Sequence, residues 1–125
     1  MANIVPITGE LFPPQSKPDA IYSDRLRVHM VDGDGMEPDL RSRRDYVLVA
    51  PVEEYCGEGI YLVEIGGGQS LYRAQNILNG GLRMTLDNPA YRGGTHLLTK
   101  EEFAEMVLGY VVADIKVRDH RFLNN

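Results

Sequence analysis

No apolar run in these 125 residues approaches the roughly 18 that a membrane-crossing helix needs, so a helical membrane span is not expected. The opening "MANIVPITGELFPPQ" lacks both the basic start and the apolar stretch of a secretory signal, and a cytoplasmic location follows as the expectation. Cysteine is limited to Cys56, which excludes an internal disulfide and agrees with a reducing compartment. Basic charge is also short. Thirteen Lys and Arg face eighteen Asp and Glu, for a net charge of −5, which argues against salt-driven phosphate or nucleic-acid binding by this chain alone. Zinc wants roughly four close Cys or His ligands, whereas His29, His96 and His120 are scattered and Cys56 stands alone. No cofactor and no metal are expected.

What is present reads as one soluble globular domain with a single core, 43% apolar and 25% charged. Residues 1–24 carry Pro6, Pro13, Pro14 and Pro18 and little periodicity, which predicts an extended arm. Residues 25–118 form the domain, and 119–125 a polar tail expected to fray. Six stretches have strand texture: "RLRVHMV", "YVLVAPV", "GIYLVEI", "SLYRAQNIL", "LRMTL" and "VLGYVVADIKV". Gly66-Gly67-Gly68 and Asn79-Gly80-Gly81 are short enough to close antiparallel hairpins, while Asn88-Pro89 and Gly93-Gly94 mark further turns. One helix is predicted in "LTKEEFAEM", where Thr99 and Glu102 have the spacing of a capping box. The fold class is therefore mainly β, antiparallel, with one short helix. Val47, Val49, Tyr61, Val63 and Ile65 are expected in the core.

The chemistry is thinner than the turns suggest. In "VDGDGMEPDL", Asp32 and Asp34 have the alternation of a calcium loop, but Met36 and Glu37 stand where a further ligand and a glycine would be needed. "IGGGQS" lacks the Gly-Lys-Ser/Thr ending of a phosphate loop and reads as a hairpin turn. Cys56 lies among acids, which raise a thiol pKa, and is not expected to be a nucleophile. Arg41, Arg43 and Arg44 cluster in "LRSRRDY" and are read as a solvated turn. Gly33 and Gly35 are expected to adopt backbone angles that other residues resist, and Pro38 to fix the corner after them.

Taken in order, "VDGDGMEPDL", "DYVLVAPV", "GIYLVEIGGGQSLYRAQ", "LRMTLDNPAY" and "VLGYVV" resemble the C-terminal domain of LexA-like repressors and their self-cleaving serine-lysine peptidase relatives. The likeness spans residues 27–116 and implies a β-clip, signal-peptidase-like fold. The family motif Gly-Asp-Ser-Met-Glu-Pro places a nucleophilic serine where this chain has Gly35, flanked by Asp34, Met36, Glu37 and Pro38. The family's lysine, before an arginine on a later strand, aligns with Tyr72 before Arg73. A serine attacks only when a base takes its proton, and in this family a lysine kept neutral by burial does so. Glycine offers no attacking atom, and a phenol of ordinary pKa about 10 is no substitute base at neutral pH.

Ser70, two residues from Tyr72, should face the same way but lacks a basic neighbour in sequence. The family's scissile Ala-Gly or Cys-Gly pair has no counterpart in residues 1–34; Cys56-Gly57 lies downstream and is read as coincidence. The departures continue in "LRSRRDYVLV", where Arg44 replaces a family glycine before Asp45. Residues 1–24 are also too short and proline-rich for the helix-turn-helix domain that such repressors carry.

The resemblance implies a non-catalytic regulator that homodimerises, in transcriptional, phage or stress-response control. Its last strand contributes to the pairing, and a peptide is accommodated in the vestigial cleft of Asp34, Gly35, Met36, Glu37, Pro38, Ser70, Tyr72 and Arg73. The alternative is a peptidase working with non-standard groups such as Ser70 or Cys56.

Overall fold

Strands form where the β-branched and aromatic alternation predicts them, and the computed structural model describes them within residues 25–91 and 93–123. The arm expected over 1–24 lies outside the described residues. In chain order the strands are β1 (Arg27–Met30), β2 (Asp45–Pro51), β3 (Gly59–Ile65), β4 (Gly68–Asn76), β5 (Leu82–Thr85), β6 (His96–Leu98) and β7 (Val107–Lys116). All pair antiparallel in one seven-stranded sheet of order β1-β2-β7-β3-β4-β5-β6. The fold is mainly β with one short helix, α1, over Lys100–Met106.

Both hairpins expected from the glycine-rich turns are present. Gly66 and Gly67, with φ of 59° and 85°, close β3 onto β4 in the left-handed angles that the tightest hairpin loops require. β4 and β5 pair across the turn at Leu78–Gly80. The helix begins at the expected capping box: the Glu102 amide donates to Thr99 Oγ1 at 3.0 Å and the Thr99 amide to Glu102 Oε1 at 2.8 Å. β6 is a strand that the pattern does not announce, because three residues are too few to show a period.

Residues opposite each other across a ladder share a face of the sheet. Leu62 opposite Leu71 belongs to one face, and Tyr61 opposite Tyr72 to the other. The first face carries Val47, Val49, Leu62 and Leu71 and is closed by Val31, Met36 and Leu40 from the β1–β2 connection. The second carries Tyr61, Val63, Ala74, Leu82 and Met84 and is closed by Phe103 of α1. The single core expected from length is thus two clusters on opposite sides of one sheet. Val47, Val49, Tyr61 and Val63 are buried as expected, but Ile65 is 42% exposed. It sits at the hairpin tip opposite Gly68, which has no side chain to pack against it.

On the second face the outer strands lie beyond the buried cluster, with Val28 exposed and Met30, Tyr46, Leu48, Ala113 and Ile115 half-buried. Val28, Leu48 and Ala113 align across β1, β2 and β7, as do Met30, Tyr46 and Ile115. None of these six belongs to either cluster, and Val28 is 63% exposed.

Candidate functional site

The β1–β2 connection pairs part of its own backbone, as in the Leu40 amide to Met36 O at 3.0 Å and the Asp45 amide to Arg41 O at 3.1 Å, and side chains satisfy more of it. Its ends are fastened by the Val31 amide to Asp45 O at 3.0 Å and the Arg43 amide to Val31 O at 2.6 Å. Within it the Gly33 amide donates to Ser42 Oγ at 2.8 Å, and the Ser42 amide to Glu37 Oε2 at 2.9 Å. Glu37 is therefore a brace of the turn, with its own amide on Asp34 O at 3.1 Å. Met36 and Leu40 drive into the first core.

Asp45 anchors the base of this turn. Its buried carboxylate accepts from the Arg41 amide at 2.8 Å, from Arg41 Nε at 3.1 Å and Nη2 at 2.8 Å, and from Lys116 Nζ at 3.2 Å. The Arg41 hydrogen bonds hold the carboxyl well below the usual carboxylate range, against the opposing effect of burial. The solvated reading of the arginine cluster therefore needs correction at Arg41, which is committed to Asp45. Arg43 and Arg44 are exposed, and the Arg43 guanidinium meets Asp32 at 3.5 Å.

A second tie joins the turn to the loop after β5. Asn88 Nδ2 donates to Asp34 O at 2.7 Å, the Asn88 amide to Gly35 O at 2.8 Å, and the Tyr91 hydroxyl to Asp34 Oδ1 at 2.6 Å. Donating to that carboxylate raises the Tyr91 pKa above its ordinary value, since losing the proton would set two anions together. Arg73 holds the same loop from β4 through a two-pronged pair with Asp87, at 2.8 and 2.7 Å.

Between turn and strand lies a cavity of about 210 Å³. Asp34, Gly35 and Met36 form one wall, and Ser70 and Tyr72 of β4 form another. Leu86 and Tyr91 also line it. Of the residues assigned to the vestigial cleft, these five come together; Glu37, Pro38 and Arg73 lie outside its lining, with Glu37 and Arg73 bracing the turn and loop that frame it. Leu86, Asn88 and Tyr91 are not among the cleft residues expected from the sequence. The Asn88-Pro89 turn was the one available signal, and it says nothing about where the loop docks.

The two glycines differ. Gly33, at φ +100°, needs the left-handed freedom expected of it. Gly35 does not: its φ is outside that region, and a Cβ there would stand 2.9 Å from Leu86 Cδ2. Its requirement is space beside a neighbouring side chain.

Chemically the cavity offers hydroxyls and carboxylates. Ser70, Tyr72 and Tyr91 bring hydroxyl groups, and no lysine, arginine or histidine is among the described residues lining it. His96 touches Tyr72, ring centroids 5.9 Å apart, but is not part of the lining. Cys56 is exposed and tied elsewhere, its amide on the Tyr61 hydroxyl at 2.9 Å and its Sγ 3.5 Å from that oxygen. Burial pushes the Tyr61 pKa up, so this phenol stays protonated and donates to Gly57 O at 2.5 Å. Asp32 and Asp34 turn to different partners, and among the described residues no group of three or more His, Cys, Asp or Glu could hold a metal ion. Among the described residues no helix is long and apolar enough to cross a membrane. Comparison with protein-family models and with curated proteins finds no match for this chain.

Proposed function

We propose that this chain is a LexA-like regulatory module of the cytoplasm without peptidase activity, acting through homodimerisation and protein contact in transcriptional, phage or stress-response control. One observation carries the reading. The two stretches that the resemblance pairs as nucleophile turn and base strand line the same cavity, yet Gly35 and Tyr72 stand at the reactive positions. The neighbouring hydroxyl of Ser70 makes no hydrogen bond among the described residues and has no lysine or histidine beside it in the cavity, so the nitrogen base that such a hydroxyl calls for is not among the described lining residues. Of the two acids that line the cavity, Asp34 is engaged by Tyr91 and Asp32 by Arg43.

Dimerisation finds support in the partly exposed apolar face of Val28, Met30, Tyr46, Leu48, Ala113 and Ile115, since apolar surface left in water is a cost that a two-fold partner removes. Direct DNA contact is disfavoured by the net charge of −5 and by the commitment of Arg41 to Asp45.

Two measurements test the proposal. Intact masses after incubation at neutral and alkaline pH are expected to stay unchanged. A fragment that disappears on Ser70→Ala or Cys56→Ser would replace the proposal with the peptidase alternative. Light scattering at micromolar concentration is expected to give twice the chain mass, and Leu48→Lys to halve it; a monomer at every concentration would defeat the dimer.

A further inference from the structure

The edge of the sheet farthest from β1 combines three features that the emptied cavity does not share. β6 is the terminal strand: it pairs with β5 alone among the described residues, so its outer backbone groups face no ladder partner. Beside it runs a groove of about 680 Å³ with an apolar floor of Tyr72, Met84, Leu98 and Met106. Its rim is acidic. Glu102 and Glu105 of α1 line it, and Glu101 stands with Glu102 over a second hollow of about 550 Å³ that continues past Leu97 and Leu98.

His96 also lines the groove, while Lys100 and Arg83 are not among its lining residues. Lys100 lies over the Tyr55 ring at 6.0 Å, and Arg83 is opposite Leu97, on the sheet face away from the Met84–His96 pair that borders the groove. Among the described residues Glu105 makes no ion pair, and Glu102 spends one carboxylate oxygen on the helix cap. Leu97, 67% exposed, leaves apolar surface at the lip.

We propose that this edge binds an extended, basic peptide segment of a partner protein as an eighth strand. Its main chain would pair with β6, one set of alternating side chains would enter the apolar groove, and Arg or Lys would meet Glu102 and Glu105. Strand addition supplies affinity through backbone hydrogen bonds and specificity through alternate side chains, and the acid rim selects the charge. The site lies outside the emptied cavity, although Tyr72 lines both, and it does not depend on the reading of that cavity as an inactive peptidase cleft.

The test uses the full chain and a labelled ten-residue peptide of alternating Arg and Val, followed by fluorescence anisotropy, with an alternating Glu-Val peptide as control. Saturable binding of the basic peptide alone is expected. Glu105→Lys should weaken it at least about tenfold, and methylating alternate peptide amides should do the same. Circular dichroism would confirm that the Glu105→Lys chain is folded. Ser70→Phe, which fills the emptied cavity, should leave the affinity within about twofold.

Three results would overturn the proposal: equal binding of the acidic peptide, indifference to Glu105→Lys, or loss of binding with Ser70→Phe while Glu105→Lys binds normally. The last would move the peptide to the emptied cavity. Self-association of the chain that Glu105→Lys dissolves, with no peptide bound, would also overturn it and assign this edge to a second copy.

Discussion

The two faces of the sheet are closed by different devices. On one, Val31, Met36 and Leu40 of an irregular turn cover Val47, Val49, Leu62 and Leu71, and no ring is buried among them. On the other, a seven-residue helix sets Phe103 against Tyr61, edge to face with centroids 5.0 Å apart, and Tyr110 meets Tyr61 at 4.9 Å. A seven-residue helix leaves its first amides and last carbonyls without partners inside itself, so it leans on a cap and on one large anchor. The turn has no continuous ladder, and its internal backbone bonds are scattered, Leu40 to Met36 and Asp45 to Arg41 among them. It therefore recruits Ser42, Glu37, Asp45 and Asn88, and that framework also shapes the cavity at Gly35. The helical face depends on packing, and the turn face on polar anchoring as well.

Five substitutions would sharpen or break this contrast. The largest effect is expected from Phe103→Ala, which removes the single buried side chain of α1 and should cost about 3–5 kcal/mol in urea unfolding. A loss under about 1 kcal/mol would mean that the helix is not held by its anchor. Asp45→Asn comes next, at about 1–3 kcal/mol, discounted because Arg41 and Lys116 are 41% and 51% exposed and keep water after the change. The sign of its pH dependence follows from the direction of the shift. A carboxyl whose folded pKa is depressed contributes fully above its unfolded value and loses that contribution as acid drives the pH down toward the folded one. Wild-type stability should therefore fall below about pH 4, and the gap to Asp45→Asn should narrow there. A gap that stays constant down to about pH 2 would contradict the Asp45 anchor.

The glycines of the turn provide the third comparison. Gly33→Ala forces a side chain into a left-handed angle and should cost about 1–2 kcal/mol. Gly35→Ala should cost under about 1 kcal/mol, because the far end of Leu86 can swing aside. Equal thermal shifts for the two would erase the distinction between angle and space. The smallest effect is expected from Thr99→Ala, about 1 kcal/mol through loss of the cap bond to Glu102, with the turn face unaffected. Amide exchange would check this, because faster exchange should stay within α1.

Much of the sheet was legible because strands with a buried face alternate. "YVLVAPV" and "GIYLVEI" announce β2 and β3 in this way, and Thr99 with Glu102 announces the helix start through purely local chemistry. Ile65 misled because alternation reports which side a residue faces, not how far the cover over that side extends. Arg41 misled because its partner is a carboxylate buried only once β2 and β7 have paired. Leu86 and Tyr91 were invisible at the cavity, since a loop that folds back over a turn more than 50 positions earlier leaves no periodic trace.

By itself, then, the amino-acid order determined what neighbours along the chain decide: strand alternation, two glycine hairpins and one capped helix. Tertiary structure decided what depends on distant groups meeting. It split one expected core into two faces, buried Asp45 between Arg41 and Lys116, and ended the sheet on β6 beside an acidic groove. The physical reason is range: backbone preferences act over a few residues, whereas burial and charge pairing act across strands that chain order keeps apart.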